Sequence, residues 1–268
     1  MNISNLNKIK LDCLEILLKM YKDANAGHIG ASLSCLDILV YLYFHLMNKD
    51  DRFILSKGHA ALSLYVVLAK AGLMDKKLLE SFYKNGTLLA AHPPCNRKLN
   101  GVLFGTGSLG HGLPLANGFS FSNRFTNKTN NVFCLISEGD CDEGSTWEAA
   151  LFASQHKLKN LFVIIDNNNL QGFGKSSEVL NLEPLADKWK SFNFDVAVAE
   201  NGNEFSSLNA AFDKLFDIRS DKPKCIIAKT KKGNGVSFME NKLEWHYLPM
   251  NDNQYAQAIK EIKNKKNA

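Results

Sequence analysis

The chain has 268 residues, 45% hydrophobic and 22% charged, ordinary proportions that allow a substantial buried core. Much of its net charge of +5 sits in KEIKNKKNA (260–268), where four lysines face one glutamate. No basic stripe interleaved with aromatics runs elsewhere, which argues for a solvated tail and against a nucleic-acid partner.

No run approaches 18 uncharged apolar residues, and the N-terminus lacks the basic-then-apolar layout of a signal peptide. Neither a membrane span nor a leader is therefore expected. The six cysteines, at 13, 35, 95, 134, 141 and 225, form no Cys-x-x-Cys pair. Such scatter suits free thiols in a cytoplasmic protein rather than a disulfide frame or a zinc site.

In chain order, apolar positions at Leu6, Ile9, Leu14, Ile16, Leu17, Met20 and Tyr21 predict a helix over 5–22. Further helices are predicted over 33–47, 59–71 and 75–84, so the first third reads as mostly helical. The apolar stretch 36–47 contains Asp37 and His45 and fits a buried helix better than a span. From Asn131 the pattern changes. NVFCLIS and LFVIID are continuous apolar runs, the mark of strands covered on both faces. GSTWEAALFASQHKL between them predicts a helix, and FDVAVA, a helix near 204–218, and KCIIAKT repeat the alternation. Repeated strand–helix–strand units imply an α/β fold, a doubly wound parallel sheet with helices on both faces. No internal repeat, low-complexity linker or domain boundary interrupts residues 1–268, which read as a single domain.

In such sheets, ligands sit beyond the carboxyl ends of the strands. SEGD follows the first run, DNNNLQGFG the second and KKGNG the last, so three loops of glycines, carboxylates and amides are expected at one edge. Taken singly, each also reads as a turn. A carboxylate after one strand and an amide after the next, with a loop carbonyl, would suit magnesium, a hard cation that often bridges protein oxygens to phosphates. Glycine beside the carboxylate would let a phosphate approach the main chain. Which acid of Glu138, Asp140 and Asp142 serves is open on these grounds alone.

SEGDCDEGSTWEAALFASQHKLKNLFVIIDNNNLQ resembles the thiamine-diphosphate motif of transketolases, which opens on Gly-Asp-Gly and closes on an Asn. AGHIGASLSCLDIL (26–39), LSKGHA (55–60), TGSLGHGLPLANG (106–118) and KTKKGNGVSFMENKLEWH (229–246) resemble further blocks of that family, in the family's order. Placed without gaps, the motif puts Glu138 at the metal-binding Asp. Thirty residues separate Glu138 from Asn168, the family's spacing, whereas Asp140 lies two residues too close. Asp140 is then expected as a helix-start acid favoured by the helix dipole. Ser137-Glu138-Gly139 departs from Gly-Asp-Gly by a longer acid in a site where magnesium prefers near-octahedral geometry.

The resemblance implies the remaining roles. Glu138, Asn168 and the Leu170 carbonyl would hold the metal, magnesium or calcium or manganese in its place. His59, Gly107, Ser108, Leu109, Gly139, Asn168, Lys232 and His246 would bind thiamine diphosphate. His28 and Lys57 would face the substrate; His28, His59, His92 and His246 would move protons, and Glu143, with Glu148, would relay them across a subunit interface. The residues after KCIIAKT are too few for the family's pyrimidine-binding and C-terminal domains. The resemblance therefore implies the N-terminal subunit of a split transketolase, acting on sugar substrates with a C-terminal subunit, two of each in a heterotetramer. The glutamate at 138 also allows an E1-type subunit of a 2-oxo acid dehydrogenase, and the altered motif a non-catalytic transketolase-like binding subunit.

Overall fold

Five strands, β1 (Arg52–Leu55), β2 (Val132–Ser137), β3 (Leu161–Asn167), β4 (Asp195–Ala199) and β5 (Lys224–Lys229), pair in parallel in the order β1-β2-β3-β5-β4. The computed structural model describes residues 2–96 and 98–267. The helices are α1 (Ile3–Ala24), α2 (Ile29–Tyr41), α3 (Ala61–Lys70), α4 (Gly112–Thr126), α5 (Gly144–Gln155), α6 (Ser176–Val179), α7 (Leu185–Ser191), α8 (Phe205–Asp217) and α9 (Asp252–Asn267).

Side chains alternate along each strand, so the continuous apolar runs serve two cores. Phe133, Leu135, Phe162, Ile164, Ile226 and Ala228 pack with α1, α2, α3, α8 and α9. Val132, Cys134, Ile136, Val163, Ile165 and Ile227 pack with α4, α5 and α7 on the other face. The Phe133 and Phe162 rings, in register on neighbouring strands, stack at 5.1 Å. Cys13, Cys35, Cys134, Cys141 and Cys225 are buried free thiols, and Cys95 is exposed.

Several boundaries and elements differ from the sequence reading. The first third holds β1 as well as helices; RFIL is short and follows the charged NKDD, so periodicity does not reveal it. Helix α4 was not predicted either, because Gly112, Pro114 and Gly118 depress its local propensity. Residues 75–84 form only a 3-10 stretch, Lys76–Ser81. Helix α2 begins at Ile29 and runs into a π turn, Leu42–Leu46. The combined 18-residue helix is long and apolar enough to cross a membrane, yet every residue of α2 is buried inside the fold, including Asp37.

The solvated tail is corrected to the end of α9. Ala258 and Ile262 lie four apart and are buried in the α1-side core, an apolar stripe that charge counting overlooks. Lys266 reaches Asp12 at 2.8 Å and Glu15 at 2.7 Å, and Lys265 Nζ donates to the Gly235 carbonyl at 2.8 Å.

Candidate functional site at the carboxyl edge of the sheet

The loops after β2, β3 and β5 meet at the carboxyl edge, joined by the loop after β1 and the segment before α4. Ser137, Glu138, Gly139, Asp166, Asn168, Leu170 and Lys232 line one cavity of about 90 Å³, with Lys57, His59, Leu109 and His246. Its floor is an ion pair that sequence reasoning missed. Lys57 and Asp166, both essentially without solvent exposure, pair through Nζ and Oδ2. Lys57 Nζ also donates to the Ala31 carbonyl at 3.2 Å. Asp166 Oδ1 accepts from Ser34 Oγ at 2.6 Å and from Thr230 Oγ1. Burial opposes the Lys57 charge, but Asp166 outweighs it and raises the ammonium above its ordinary range. The ammonium expected to face substrate is thus engaged inside the protein.

Asp140 lies in the first turn of a 3-10 helix, Gly139–Asp142, ahead of α5, and is in addition a buried acceptor that ties three loops together. Its Oδ1 accepts from Ser56 Oγ at 2.5 Å and from the Gly110 N–H at 2.8 Å; its Oδ2 accepts from the Ser137 N–H at 2.7 Å. The residue flanking the start of α5 is Glu143, whose side chain makes no cap bond. Gly110, at φ +78°, is needed here: a Cβ would sit 2.5 Å from Ser145 Oγ and 2.6 Å from Glu143 Cβ.

Above the floor stand the oxygens. Glu138 is buried, and its Oε2 accepts the Asn169 N–H at 2.8 Å. Burial, reinforced by Asp166, raises its carboxyl to about 7. Asn168 Nδ2 donates to Ser34 Oγ at 3.0 Å, leaving Oδ1 to accept the Leu170 N–H at 3.1 Å. The Leu170 carbonyl accepts from Lys232 Nζ at 3.0 Å, and the same Nζ lies 2.8 Å from His246 Nδ1. Burial, then the Lys57 charge, lowers Lys232 to about 8.

The loop that carries Lys232 is tied down on both sides of it by a network centred on buried Asp37. Asp37 pairs with Lys10 at 2.5 Å and accepts from Asn203 Nδ2 and Asn234 Nδ2, each at 3.0 Å. Asn203 Oδ1 in turn accepts the Lys231 N–H at 2.8 Å.

The structure brings all four expected histidines into one cluster. His28 lies 5.8 Å from His59, 5.9 Å from His92 and 5.2 Å from His246, ring centre to ring centre, and His59 lies 5.6 Å from His246. Burial lowers all four: His28 and His92 below the ordinary value, His59 well below, and His246 to about 3. All are neutral at pH 7. His28 adopts a left-handed backbone before α2, and its N–H donates to the His246 carbonyl at 3.0 Å. Gly107 backs onto His92, whose Cδ2 would lie 3.1 Å from a Cβ there.

Ser108 is exposed and Leu109 half-buried, with Leu109 Cδ1 3.1 Å from where a Gly139 Cβ would stand. Glu143 and Glu148 are outside this cluster, exposed at the start of and along α5. Sequence reasoning also missed Tyr247, beside His246 at 4.7 Å between ring centres. Its only signal was adjacency to a selected histidine.

The donor set suits a hard cation: one carboxylate, one amide oxygen and one carbonyl, with glycine alongside. Among the described residues no three His, Cys, Asp or Glu side chains cluster as a self-sufficient metal site. A cation here would need oxygens from outside the chain, as one shared with a diphosphate does.

The family model for the transketolase thiamine diphosphate binding domain matches residues 8–266. One of the subunits of an apulose-4-phosphate transketolase from Phocaeicola vulgatus is 36% identical over 255 residues, covering 92% of this chain and 89% of its own. A 6-deoxy-6-sulfo-D-fructose transketolase subunit from a Clostridium species is 35% identical, covering 88% of each. The crystal structure of Campylobacter jejuni transketolase superposes with a TM-score of 0.89 at 28% identity, over 98% of this chain. The chain spans 43% of that protein.

Proposed function

The chain belongs to the transketolase family, and from that premise we propose that it is the diphosphate-anchoring subunit of a two-chain transketolase. Together with a C-terminal subunit bearing the pyrimidine-binding domain, it transfers a two-carbon ketol unit between sugars. The carrying observation is that Glu138, Asn168 and Leu170, from the loops after two adjacent strands, line one small cavity beside a neutral histidine cluster. At about 90 Å³ the cavity suits a diphosphate-sized group and falls far short of the volume that encloses a drug-sized ligand. The remainder of such a ligand would extend beyond this cavity, where a partner chain can cover it. Exposed Phe125, Leu151 and Phe152 on α4 and α5 supply an apolar surface for the partner chain. A heterotetramer with two copies of each chain fits this arrangement.

Glu138, Asn168 and the Leu170 carbonyl would hold magnesium, and Gly139 would admit the diphosphate. When bound, thiamine diphosphate supplies the carbanion chemistry that carries the ketol unit. The chain's own residues bind, orient and move protons. Lys232 donates to His246 Nδ1, so the proton of that neutral imidazole belongs on Nε2. Nε2 is then a donor on the cavity side, 3.4 Å from where a Gly172 Cβ would be. His28, His59 and His92, also neutral, each offer one donor and one acceptor to substrate hydroxyl and carbonyl groups. The buried Lys57–Asp166 pair keeps the strand ends in place beneath them.

The test combines the chain with its partner subunit, thiamine diphosphate and magnesium. Ketol transfer between sugar phosphates is expected, together with magnesium-dependent cofactor binding by calorimetry. Both should be lost in Glu138→Ala. Activity that survives that change intact refutes the metal assignment, and an absence of cofactor binding in the assembled complex favours a non-catalytic subunit.

A further inference from the structure

Tyr247 stands beside the site, flanked by His246, His28 and two glycines, Gly27 and Gly172. Its backbone is pinned, since a Cβ at Gly27 would lie 2.4 Å from the Tyr247 carbonyl oxygen. The adjacent His246 carbonyl accepts the His28 N–H at 3.0 Å. Its ring stands 4.7 Å from that of His246 and 6.3 Å from that of His28, while 54% of the residue remains exposed. Across the mouth is Gly172, a cavity-lining residue. A Cβ there would meet the Tyr247 hydroxyl at 2.4 Å and His246 Nε2 at 3.4 Å. Unlike Gly174, Gly172 does not have a positive φ. Its backbone would accept alanine, so what glycine leaves there is the space that the tyrosine hydroxyl fills.

We propose that Tyr247 is a specificity-determining residue whose ring forms the outer wall of the substrate entrance and restricts the length of the phosphosugar admitted past the histidines. The inference rests on the ketol-transfer reading. A neutral aromatic ring at this position adds no charge to the site; it takes up volume beside His28 and His246, where a longer polyol chain would have to pass. Discrimination by shape alone is worth about tenfold for a small change in substrate size.

The experiment uses the full complex with the partner chain and compares five-, six- and seven-carbon ketose phosphates as donors. With Tyr247→Ala, kcat/KM for the seven-carbon donor should rise about tenfold relative to the five-carbon donor. Tyr247→Phe, which keeps the ring, should retain the wild-type ranking. Gly172→Ala should shift the ranking as Tyr247→Ala does, because it displaces the hydroxyl, and combining it with Tyr247→Phe should reverse much of that shift. Cofactor affinity, read by calorimetry, should stay constant in the two Tyr247 single variants. An active wild type whose ranking is unchanged in Tyr247→Ala overturns the inference alone. Loss of affinity for the partner chain with an unchanged ranking also overturns it, and assigns the ring to the interface instead. A wild-type complex inert toward every donor overturns the functional reading and this inference with it.

Discussion

The floor and the mouth of the site carry charge in opposite ways. At the floor, Lys57, Asp166 and Asp140 are buried and fully engaged by one another, by hydroxyls and by backbone groups. At the mouth, Glu138, Lys232 and the histidines are also largely buried, yet each is pushed toward its neutral form. Burial alone therefore does not distinguish a structural charge from a functional one; a buried counter-charge does, since Lys57 pairs with Asp166 whereas Lys232 meets only carbonyls and an imidazole. A buried charge with its counter-ion fixes the strand ends. One without a counter-ion is poised for a ligand or a proton.

The sharpest way to break this contrast is to remove one floor charge. Asp166→Asn leaves the Lys57 ammonium buried without its counter-ion and should cost about 3–5 kcal/mol, read as a lower urea midpoint. Adding Lys57→Met should recover part of the loss. If Asp166→Asn were neutral, the floor would not be the element that holds the strand ends.

Next in size is acid sensitivity set by the mouth. The unfolded histidines take up protons near pH 6.5, while His59 and its neighbours in the fold resist protonation. Below about pH 6.5 the unfolded state binds more protons, so stability falls as the pH falls. Each histidine contributes at most about 1.4 kcal/mol per pH unit. Glu138 acts in the opposite sense: its folded value of about 7 lies above the ordinary 4.5, so its term is lost as pH rises between them. Urea unfolding from pH 7.5 to pH 5 should show a shallower acid loss in His59→Asn and a steeper one in Glu138→Gln.

Gly110→Ala tests the glycine that approaches the loop beneath Asp140. Strain from its positive φ and the contacts with Ser145 and Glu143 should cost about 1–3 kcal/mol in thermal or urea unfolding. Glu138→Gln should cost no stability at pH 7, because glutamine still accepts the Asn169 N–H and brings no charge into the buried site. The same change should lower magnesium-dependent cofactor affinity by about tenfold or more in calorimetry of the complex. A large stability loss there would erase the distinction between mouth and floor.

Much of this architecture is legible in the sequence because parallel strands covered on both faces leave long apolar runs. β2, β3 and β5 and the convergence of their loops follow from NVFCLIS, LFVIID and KCIIAKT. β1 escapes because four residues are too few for periodicity, and α4 because glycine and proline mask a helix that tertiary packing sustains. The histidines were legible only as members of separate blocks; their meeting is a property of the fold. Asp166 closes an apolar strand and carries no local sign of a partner 109 positions away. The terminal lysines illustrate the reverse error, since net charge hid the stripe of Ala258 and Ile262 beneath them.

The division among the cysteines offers a practical handle. Burial pushes Cys13 and Cys35 up to about 12 and holds Cys134, Cys141 and Cys225 well above the ordinary thiol range. Under native conditions a maleimide dye should therefore attach at Cys95 alone. That thiol belongs to the segment whose Pro93 carbonyl accepts the Thr106 N–H at 3.1 Å, next to Gly107 and His92. One fluorophore, attached without any mutation, would report on the neighbourhood of the histidines as ligand and companion chain arrive.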